Sequence, residues 1–411
     1  MRFQFVSTMN DSPWGGSEEL WSQAAVRLHG EGHEVRASVA HWPKLSEPIT
    51  MLAKRGVRID HHPSMHDPLG RRLRKKLLLN RSRAQMRLKR YHPDLVVISQ
   101  GHNSGGFGWA RLCKRAGLPF VMIVNCNCEL WWFGDQLDAA VMAYEAARRI
   151  FCVCQSNLDL LRLQTGEPLL HGEIVRNPCN VQFGHGFTWP DENNGWKFAC
   201  VARVDAAAKG QDLLLQMLAQ PEWRDRPVEM NFYGTGPDLV ALRRMAETLR
   251  LQNVNFHGHV SAVGAIWEQN HLLVLPSRYE GLPLALVEAM RCGRPAVVTD
   301  VGGNVELCVD GETGFVAPAA TVASISNALQ RAWEQRACWR QIGLAARGRV
   351  DQVIPEDPVY SFCQKLKALV AADSKNPALP TTLLRARPPK KLRPSAEPRV
   401  SMASIKEDQA R

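Results

Sequence analysis

Apolar and polar positions alternate along the chain in a rhythm of short strands and amphipathic helices. Strand-like runs are predicted at residues 2–7, 33–40, 94–99, 120–125 and 150–154. Helical spacing is predicted between them at residues 17–29, 107–116 and 137–148. Strands separated by helices need crossover connections, which are right-handed and build a parallel sheet covered on both faces. The first part of the chain is therefore predicted to be an α/β domain.

The same rhythm restarts after a polar stretch at residues 184–195, which contains Pro and Gly. Strands are predicted at residues 197–204, 228–234, 254–258, 272–276 and 295–300, and helices at 210–218, 237–249 and 284–292. Residues 357–371 have helical apolar spacing and are predicted to form a closing helix that packs back across the domain junction. The predicted organisation is residues 1–185, 195–354, the helix within 355–371, and a disordered, basic, Pro-rich tail at 372–411.

The net charge of +11 is concentrated in two segments. Residues 71–90 carry ten Lys or Arg and no acid, and the tail carries nine against four acids, so the body of the chain is slightly acidic. A nucleic-acid-binding protein would spread its charge over a folded face and contain a recognisable binding module, which we do not find. Nucleic acid is therefore not an expected partner.

Length and cysteine usage narrow the class further. At 411 residues the chain is long enough for two large domains, and it contains no apolar run near the length of about 18 residues that a bilayer-spanning helix needs. The start of the chain lacks the apolar stretch of a secretory signal, so we expect a cytoplasmic protein. Eleven scattered cysteines do not make a disulfide framework, and Cys126, Cys128, Cys152 and Cys154 are expected to be buried thiols because C-x-C lacks the usual zinc spacing.

Two glutamates follow the apolar run 272–275. Pro276, Gly281 and Pro283 break that run into a loop, so Glu280 is predicted at the carboxyl end of a strand, where open α/β sheets bind ligands. Glu288 lies eight residues on, inside the next helix. Two carboxylates in one crevice suit a ligand rich in hydroxyl groups; the alternative is that Glu280 is solvated and Glu288 pairs on a helix face.

Two cations follow the first strand of the second domain. Arg203 ends that predicted strand, Lys209 and Gly210 open the following helix, and Asp212 falls in its first turn. Cations beside a helix start form an anion site that suits a pyrophosphate, although both could be ordinary surface charges. The chain has no Asp-x-Asp pair, so a departing diphosphate would be stabilised without a bound divalent metal.

These residues resemble glycosyltransferase family 4. The resemblance rests on the E-x7-E element from Glu280 to Glu288, the R-x5-K-G pair of Arg203 with Lys209, and the runs VGGNVEL, DGETGF, YGTGP, NVNFHGHV and PWGGSEEL. It implies the GT-B fold: two Rossmann-like domains whose parallel sheets face each other across a cleft, with a C-terminal helix that returns to the N-terminal domain. It also implies a retaining, metal-independent transferase that needs no cofactor.

Carried over position by position, the resemblance implies a role for each matching residue. Arg203 and Lys209 would hold the donor's phosphates, Glu288 the nucleotide ribose and Glu280 the transferred sugar. The backbone N–H groups of Gly281, Leu282 and Leu284 would line the sugar and phosphate. Gly15 and Gly16, followed by Glu18, would let the N-terminal backbone approach the donor, and Gly234 and Val260 are carried over as further donor-site positions.

One position departs from the family pattern. Many members carry a His at the end of the strand predicted at 120–125, where it contacts the donor sugar, and here the stretch PFVMIVNCNCELWW has Asn125. Asn can hydrogen-bond a sugar hydroxyl but cannot take a proton. His102, in the SQGHNSGG loop one strand earlier, is an alternative residue of the cleft or a structural one.

Two surface features have alternative interpretations. Trp131, Trp132 and Phe133 follow the same strand, and they either stack on an acceptor sugar or lipid or form a hydrophobic plug under a loop. Residues 71–90 form either a solvated helix or a cationic helix that sits on an anionic membrane surface, where each Lys or Arg contributes about 1 kcal/mol.

The sequence thus predicts a retaining transferase that moves a sugar from a nucleoside-diphosphate donor to a glycan or lipid-linked hydroxyl acceptor. It would work in the cytoplasm or peripherally at the inner membrane face. Two alternatives stay open: a sugar-nucleotide epimerase or phosphorylase of the same architecture, and a non-catalytic nucleotide-sugar-binding protein.

Overall fold

The computed structural model describes residues 1–9, 12–42, 46–62, 86–181, 188–193 and 195–375. Within these ranges the strands form one sheet of seven strands and one of six. The first sheet comprises β1 (Arg2–Ser7), β2 (Glu34–Ala40), β3 (Arg58–His62), β4 (Leu95–Gln100), β5 (Phe120–Val124), β6 (Ile150–Cys152) and β7 (Gly172–Ile174). The second comprises β8 (Trp196–Val201), β9 (Val228–Tyr233), β10 (Val254–Gly258), β11 (Leu272–Leu275), β12 (Ala296–Thr299) and β13 (Gly314–Ala317).

Helices connect these strands. In the first half they are α1 (Glu19–Gly30), α2 (Glu47–Lys54), α3 (described at 86–91), α4 (Phe107–Ala116), α5 (Leu137–Ala146) and α6 (Gln155–Thr165). In the second half they are α7 (Ala206–Lys209), α8 (Gln211–Leu218), α9 (Pro221–Arg224), α10 (Leu239–Thr248), α11 (Val263–Gln269), α12 (Leu284–Arg291), α13 (Asn304–Leu307), α14 (Val322–Glu334), α15 (Trp339–Val353) and α16 (Pro358–Lys375). Short 3-10 turns lie at Gly16–Glu18, Gly134–Gln136 and Arg336–Cys338.

Both sheets are parallel and have related strand orders. The first runs β3-β2-β1-β4-β5-β6-β7 and the second β10-β9-β8-β11-β12-β13. In each sheet the order reverses beside the first strand, between β1 and β4 and between β8 and β11. Ligands of open α/β sheets bind in the crevice at this switch point. A ligand site is therefore expected at the loops after β1, β4, β8 and β11.

Helices cover both faces of each sheet, as a parallel sheet requires. The core of the first half includes Phe3, Phe5 and Trp21 on one face and Phe120 and Tyr144 on the other. The second half has its own two clusters, which contain the fully buried indoles of Trp223, Trp267 and Trp339. The predicted α/β fold class with two parallel sheets is confirmed.

The last described helix returns to the first half of the molecule. Phe362 of α16 packs edge to face on Phe151 of β6, with ring centroids 5.3 Å apart. Arg27 of α1 pairs with Asp357 at 2.6 Å, and Lys367 pairs with Glu31 at 2.7 Å. This confirms the predicted returning helix, although it continues to Lys375 instead of ending at 371.

Several sequence predictions fall outside the described residues. Most of the basic segment at 71–90 lies in the gap 63–85, and the tail from 376 onward is not described. At the described end of the basic segment, Leu88 is buried in the core and Arg87 pairs with Asp60 of β3 at 2.7 Å. The predicted domain boundary near 185–195 also falls largely in such gaps and stays a prediction. In the described parts of the chain no helix has the length and apolar character needed to cross a bilayer.

Candidate active site

The loop after β8 holds the first predicted cation beside a carboxylate. Arg203 donates to Asp205 at 2.5 Å, and Asp205 also caps α7 by accepting from the backbone N–H of Ala208 at 3.3 Å. Because Asp205 is fixed by the helix it caps, it holds the otherwise exposed guanidinium of Arg203 in one place. Asp205 was not predicted from the sequence.

The second cation, Lys209, ends a short helix, so the prediction that it opens the following helix is wrong, whereas Gly210 does open that helix as its N-cap residue. The four-residue helix α7 ends at Lys209, and Gly210 has φ +66° before α8 begins. A Cβ at Gly210 would lie 2.1 Å from the carbonyl oxygen of Pro276, so this loop packs directly against the loop after β11. Only glycine permits that backbone conformation and that approach together.

Lys209 meets Glu280 across these two loops. The Nζ to Oε1 distance is 2.6 Å, and Ser277 donates its hydroxyl to the same carboxylate oxygen at 2.7 Å. The Glu280 side chain is only 7% exposed and that of Lys209 21%. A buried carboxylate is costly unless it is paired and hydrogen-bonded, and Glu280 is both. The structure therefore excludes the alternative of a solvated Glu280.

Glu288 has a different environment. It lies buried on α12, where the backbone N–H and the side-chain amide of Asn180 both donate to it at 3.1 Å. Burial raises the pKa of Glu288 to about 7, because neutral amides offset only part of the desolvation of the charged form. The two carboxylates of the E-x7-E element thus have unlike partners. Glu280 pairs with the ammonium group of Lys209, whereas Glu288 accepts hydrogen bonds from Asn180, which lies in the segment that links the two sheets.

Two further residues predicted for the donor site are Gly234, which lies beside the loop of Arg203, and Val260, which lies after the next strand. Gly234 follows β9 and opens a turn in which the carbonyl of Thr235 accepts from the backbone N–H of Val204 at 3.0 Å, next to Arg203. Val260 follows β10 and is half-buried against the core of the second half. The structure brings Gly234 close to the Arg203 loop.

The two halves of the molecule touch at the predicted glycines. A Cβ at Gly281 would lie 1.9 Å from the carbonyl oxygen of Asn125, and one at Gly16 would lie 3.3 Å from Leu284 Cδ1. Leu282 is buried in the core of the second half, and Gly15 lies beside Met9. The glycine loop after β1 therefore faces the start of α12 across the cleft.

Asn125 is occupied by contacts within its own half. Its amide nitrogen donates to the hydroxyl of Ser99 at 3.3 Å and to the carbonyl of Gln100 at 2.8 Å, and Asn177 donates to its side-chain oxygen at 3.4 Å. Its backbone carbonyl, not its side chain, contacts Gly281. The geometry favours a positioning role for this side chain.

The aromatic trio divides between the two interpretations offered by the sequence. Phe133 is buried against Phe107 and Tyr144, as a plug would be. The ring of Trp131 instead meets Tyr279 edge to face at 4.7 Å, and the ring of His102 lies 5.3 Å from it. Trp132 is 68% exposed. His102 is therefore linked through Trp131 to the residue that precedes Glu280.

Further contacts near the loops after β8 and β11 were not predicted from the sequence. Arg278 makes two bonds of 2.8 Å to the carboxylate of Asp212, which ties the loop after β11 to the first turn of α8. The acidic first turn was visible in the sequence, but its partner 66 residues away was not. Ser277 and Asn180 lie in irregular loops and gave no periodic signal.

The cysteines show no sign of ligand chemistry. All eleven lie in the described ranges and are free thiols. Burial raises the pKa of Cys154 to about 11 and that of Cys152 still further, so both are protonated at neutral pH. Among the described residues no group of three His, Cys, Asp or Glu side chains could hold a metal ion. Metal-independent chemistry stays a prediction.

Comparison with known proteins places this geometry in a family. The model of "Glycosyltransferase Family 4" matches residues 14–183, and that of "Glycosyl transferases group 1" matches residues 196–335. The GDP-mannose-dependent alpha-(1-6)-phosphatidylinositol monomannoside mannosyltransferase of Mycolicibacterium smegmatis is 31% identical over 345 residues, which cover 77% of this chain and 85% of that protein. The chain belongs to glycosyltransferase family 4.

Other relatives resemble smaller parts of the chain. Alpha-D-kanosaminyltransferase of Streptomyces kanamyceticus is 31% identical over 137 residues, which cover 32% of this chain. The matched part of the chain spans between 34% and 42% of the length of that relative and of two other relatives, an N-acetyl-alpha-D-glucosaminyl L-malate synthase and a D-rhamnosyltransferase. Among solved structures, Anabaena Alr3699/HepE in complex with UDP-glucose has a TM-score of 0.69 at 19% identity, covering 90% of this chain and 100% of that one. This likeness confirms the predicted GT-B fold.

Proposed function

We propose that this protein transfers a sugar from a nucleoside-diphosphate sugar to a hydroxyl group of a glycan or lipid-linked acceptor. We further propose that the reaction retains the anomeric configuration and needs no divalent metal. The observation that carries the proposal is the buried pair of Lys209 and Glu280, beside Arg203, at the carboxyl edge of the six-stranded sheet. A cation and a carboxylate held together suit a ligand that has phosphates at one end and hydroxyls at the other.

Each predicted residue has a role in this proposal. Arg203 and Lys209 bind the diphosphate, and Glu280 accepts hydrogen bonds from the transferred sugar. Glu288 binds the nucleotide ribose after exchanging part of its contact with Asn180. The backbone N–H groups of Gly281, Leu282 and Leu284 line the donor, Gly234 and Val260 border the nucleotide, and Gly15 and Gly16 approach the phosphates from the other half. Relatives support the donor class: one is named GDP-mannose-dependent, and one solved structure holds UDP-glucose.

The proton of the acceptor hydroxyl leaves with the diphosphate in this proposal. Asn125 cannot take a proton, and its amide is engaged with Ser99, Gln100 and Asn177. An oxygen of the departing diphosphate, stabilised by the two cations, is the remaining base on the donor side. His102 borders the same cleft through Trp131 and serves as a contact, not as the base.

The test is the variant Arg203→Ala. Losing one charge-assisted contact to the diphosphate costs roughly 1.5–3 kcal/mol, so turnover should fall by about one to two orders of magnitude. The measurements are transfer from UDP- and GDP-sugars, and the thermal shift produced by UDP, GDP and ADP. Lys114→Ala, at an exposed lysine in the last turn of α4, is the matched control and should change neither.

Two incubations separate the proposal from its rivals. Donor without acceptor exposes an epimerase, and donor with inorganic phosphate exposes a phosphorylase. A thermal shift with a nucleoside diphosphate but no product with any acceptor would indicate a binding protein. Unchanged kinetics in Arg203→Ala would reject the diphosphate assignment.

A further inference from the structure

The loop after β5, together with the first residue of α5, exposes three large apolar side chains. Over residues 129–137, which we call the aromatic loop, Leu130 is 84% exposed, Trp132 68% and Leu137 41%. Clustered exposed apolar side chains on a folded protein mark binding surfaces. None of these three side chains is used by the donor site described above.

Buried side-chain amides donate hydrogen bonds to the backbone of this loop and of the residue before it. Asn103 donates to the carbonyl of Trp131 at 3.0 Å, and Gln164 donates to the carbonyl of Cys128 at 2.9 Å. The two amides also bond to each other at 3.0 Å, and the hydroxyl of Tyr144 donates to the carbonyl of Asn103 at 2.5 Å. A loop fixed in this way presents its side chains without an ordering cost when a ligand binds.

One buried amide at the base of the loop has no partner. Asn127 is 3% exposed, and neither its side-chain oxygen nor its side-chain nitrogen is hydrogen-bonded within the described part of the chain. Native structures rarely leave such groups unsatisfied, and a water, an ion or a functional role explains the exceptions. Asn127 is thus a polar group at the base of the loop that is available to a bound molecule.

The aromatic loop lies beside the donor site. The ring of Trp131 packs on Tyr279 at 4.7 Å, and Tyr279 directly precedes Glu280, which pairs with Lys209. A ligand bound to the aromatic loop would therefore lie next to Glu280, the residue proposed to hold the donor sugar. An acceptor needs this placement, whereas a regulatory ligand does not.

The charges of the loop define the class of ligand. Glu129, Asp135 and Asp138 are exposed, and residues 117–147 contain no Lys or Arg. Carboxylates repel anionic lipid headgroups and phosphorylated ligands, but they accept hydrogen bonds from sugar hydroxyls. Indole faces stack on the apolar face of a pyranose ring. The charge pattern therefore favours a neutral sugar over an anionic membrane.

We propose that the aromatic loop is the acceptor subsite and that it binds a neutral, pyranose-containing glycan, with Trp132 and Trp131 stacking on successive parts of it. This inference rests on the proposed transferase function, because it is that function that requires an acceptor beside Glu280. Trp132 contributes binding and Trp131 aligns the acceptor with the donor.

The experiment measures glycan binding and transfer separately. The full chain is applied to a printed array of neutral and acidic glycans, and the affinity for the strongest neutral ligand is then measured in solution. Trp132→Ala should weaken that affinity by about tenfold or more, as for a central aromatic contact, and Trp132→Phe should restore most of it. Leu163→Ala, at a side chain 75% exposed on α6, is the matched control and should leave the affinity unchanged.

Three outcomes would overturn the proposal. The first is that no neutral glycan on the array binds. The second is that Trp132→Ala binds its glycan as the original chain does. The third is that Trp132→Ala loses binding to phosphatidylglycerol vesicles, which would make the loop a membrane contact. If the glycan binds through Trp132 but no nucleotide sugar is consumed with it, the subsite stands and the transferase proposal fails.

Discussion

The carboxyl edges of the two sheets are built from different chemistry. The edge of the six-stranded sheet holds ion pairs, and we call Arg203, Asp205, Lys209 and Glu280 the ion-pair edge. The edge of the seven-stranded sheet holds neutral amides, and we call Gln100, Asn103, Asn125, Asn127 and Gln164, all buried, the amide edge. The two edges meet where Gly281 packs on the carbonyl of Asn125.

This difference suggests which ligand each edge receives. The cations of the ion-pair edge are held in position by carboxylates, so they are already oriented when an anionic ligand binds beside them. The amide edge carries no net charge, and its internally bonded amides position the loops around it, which suits a neutral ligand. A donor that carries phosphates and an acceptor that is neutral fit these two edges respectively. The following variants test whether the two edges are distinct in this way.

The largest effect is expected from Lys209→Ala at the ion-pair edge. The change removes a cation from the proposed diphosphate site and leaves the buried Glu280 with Ser277 as its hydrogen-bond partner among the described residues. We expect kcat/KM to fall at least about 100-fold. We also expect the free energy of unfolding to fall by about 3 kcal/mol, the low end for breaking a buried pair, because Lys209 is 21% exposed.

A second substitution separates these two effects. In the double variant Lys209→Ala with Glu280→Gln the uncompensated carboxylate is gone, so stability measured by urea unfolding should recover while activity stays low. If activity returned with stability, the lysine would act only as a structural partner and the ion-pair edge would lose its assigned role.

The next effect tests the junction of the two edges through Gly281→Ala. The new methyl group would lie 1.9 Å from the carbonyl oxygen of Asn125 and 2.9 Å from Val153 Cγ2, so the two halves must separate locally. We expect kcat to fall about tenfold, because small displacements of reacting groups carry penalties of that order or more. Affinity for a nucleoside diphosphate, measured by calorimetry, should change less than about threefold because the ion-pair edge is intact.

Gly348→Ala is the matched control for this variant. Gly348 lies in α15, and a methyl group added there would meet no neighbouring side chain or loop within 4 Å. Alanine should therefore stabilise the helix by up to about 1 kcal/mol and leave kcat unchanged. Full activity in Gly281→Ala would mean that the contact between the edges is dispensable for transfer.

The periodic spacing of apolar residues predicted most of the strands and helices that form these edges. The long apolar strands and the helix at Leu284–Arg291 lie where the pattern placed them. Three strands at the sheet margins were not predicted: β3 has the polar sequence RIDHH, β7 has only three residues and β13 only four. None of the three is long enough, with the right pattern, for a two-residue repeat to stand out.

The site was predictable as a set of residues but not as a set of contacts. The sequence placed Arg203 and Glu280 at strand ends of one sheet and Lys209 at the start of the helix after Arg203, and parallel topology brings these positions to one edge. It did not show that Lys209, rather than Arg203, meets Glu280 across 71 positions, because loop paths and rotamers decide that. The partner of Glu288, Asn180, lies in a linker whose course no periodic pattern encodes.

The smallest effect on ligand binding is expected from two buried carboxyl groups, one in each half of the molecule. Burial raises the pKa of Glu18, which follows the glycine loop of the seven-stranded sheet, and that of Glu288 from 4.5 to about 7. The folded protein then keeps these protons at pH values where the unfolded chain has lost them. Stability should therefore fall as pH rises from about 4.5 to 7 and level off above that, by up to about 3 kcal/mol for each group.

Glu18→Gln and Glu288→Gln should each flatten this dependence, as measured by urea unfolding at about pH 5 and about pH 8, with the gain in stability appearing at the higher pH. The two variants should differ in ligand binding. Glu288→Gln should weaken the affinity for a nucleoside diphosphate several-fold, because the proposed ribose contact loses its charge, whereas Glu18→Gln should leave it unchanged. If Glu18→Gln weakened nucleotide binding as much as Glu288→Gln, the nucleotide would contact both edges equally, and the division into a charged donor edge and a neutral acceptor edge would be wrong.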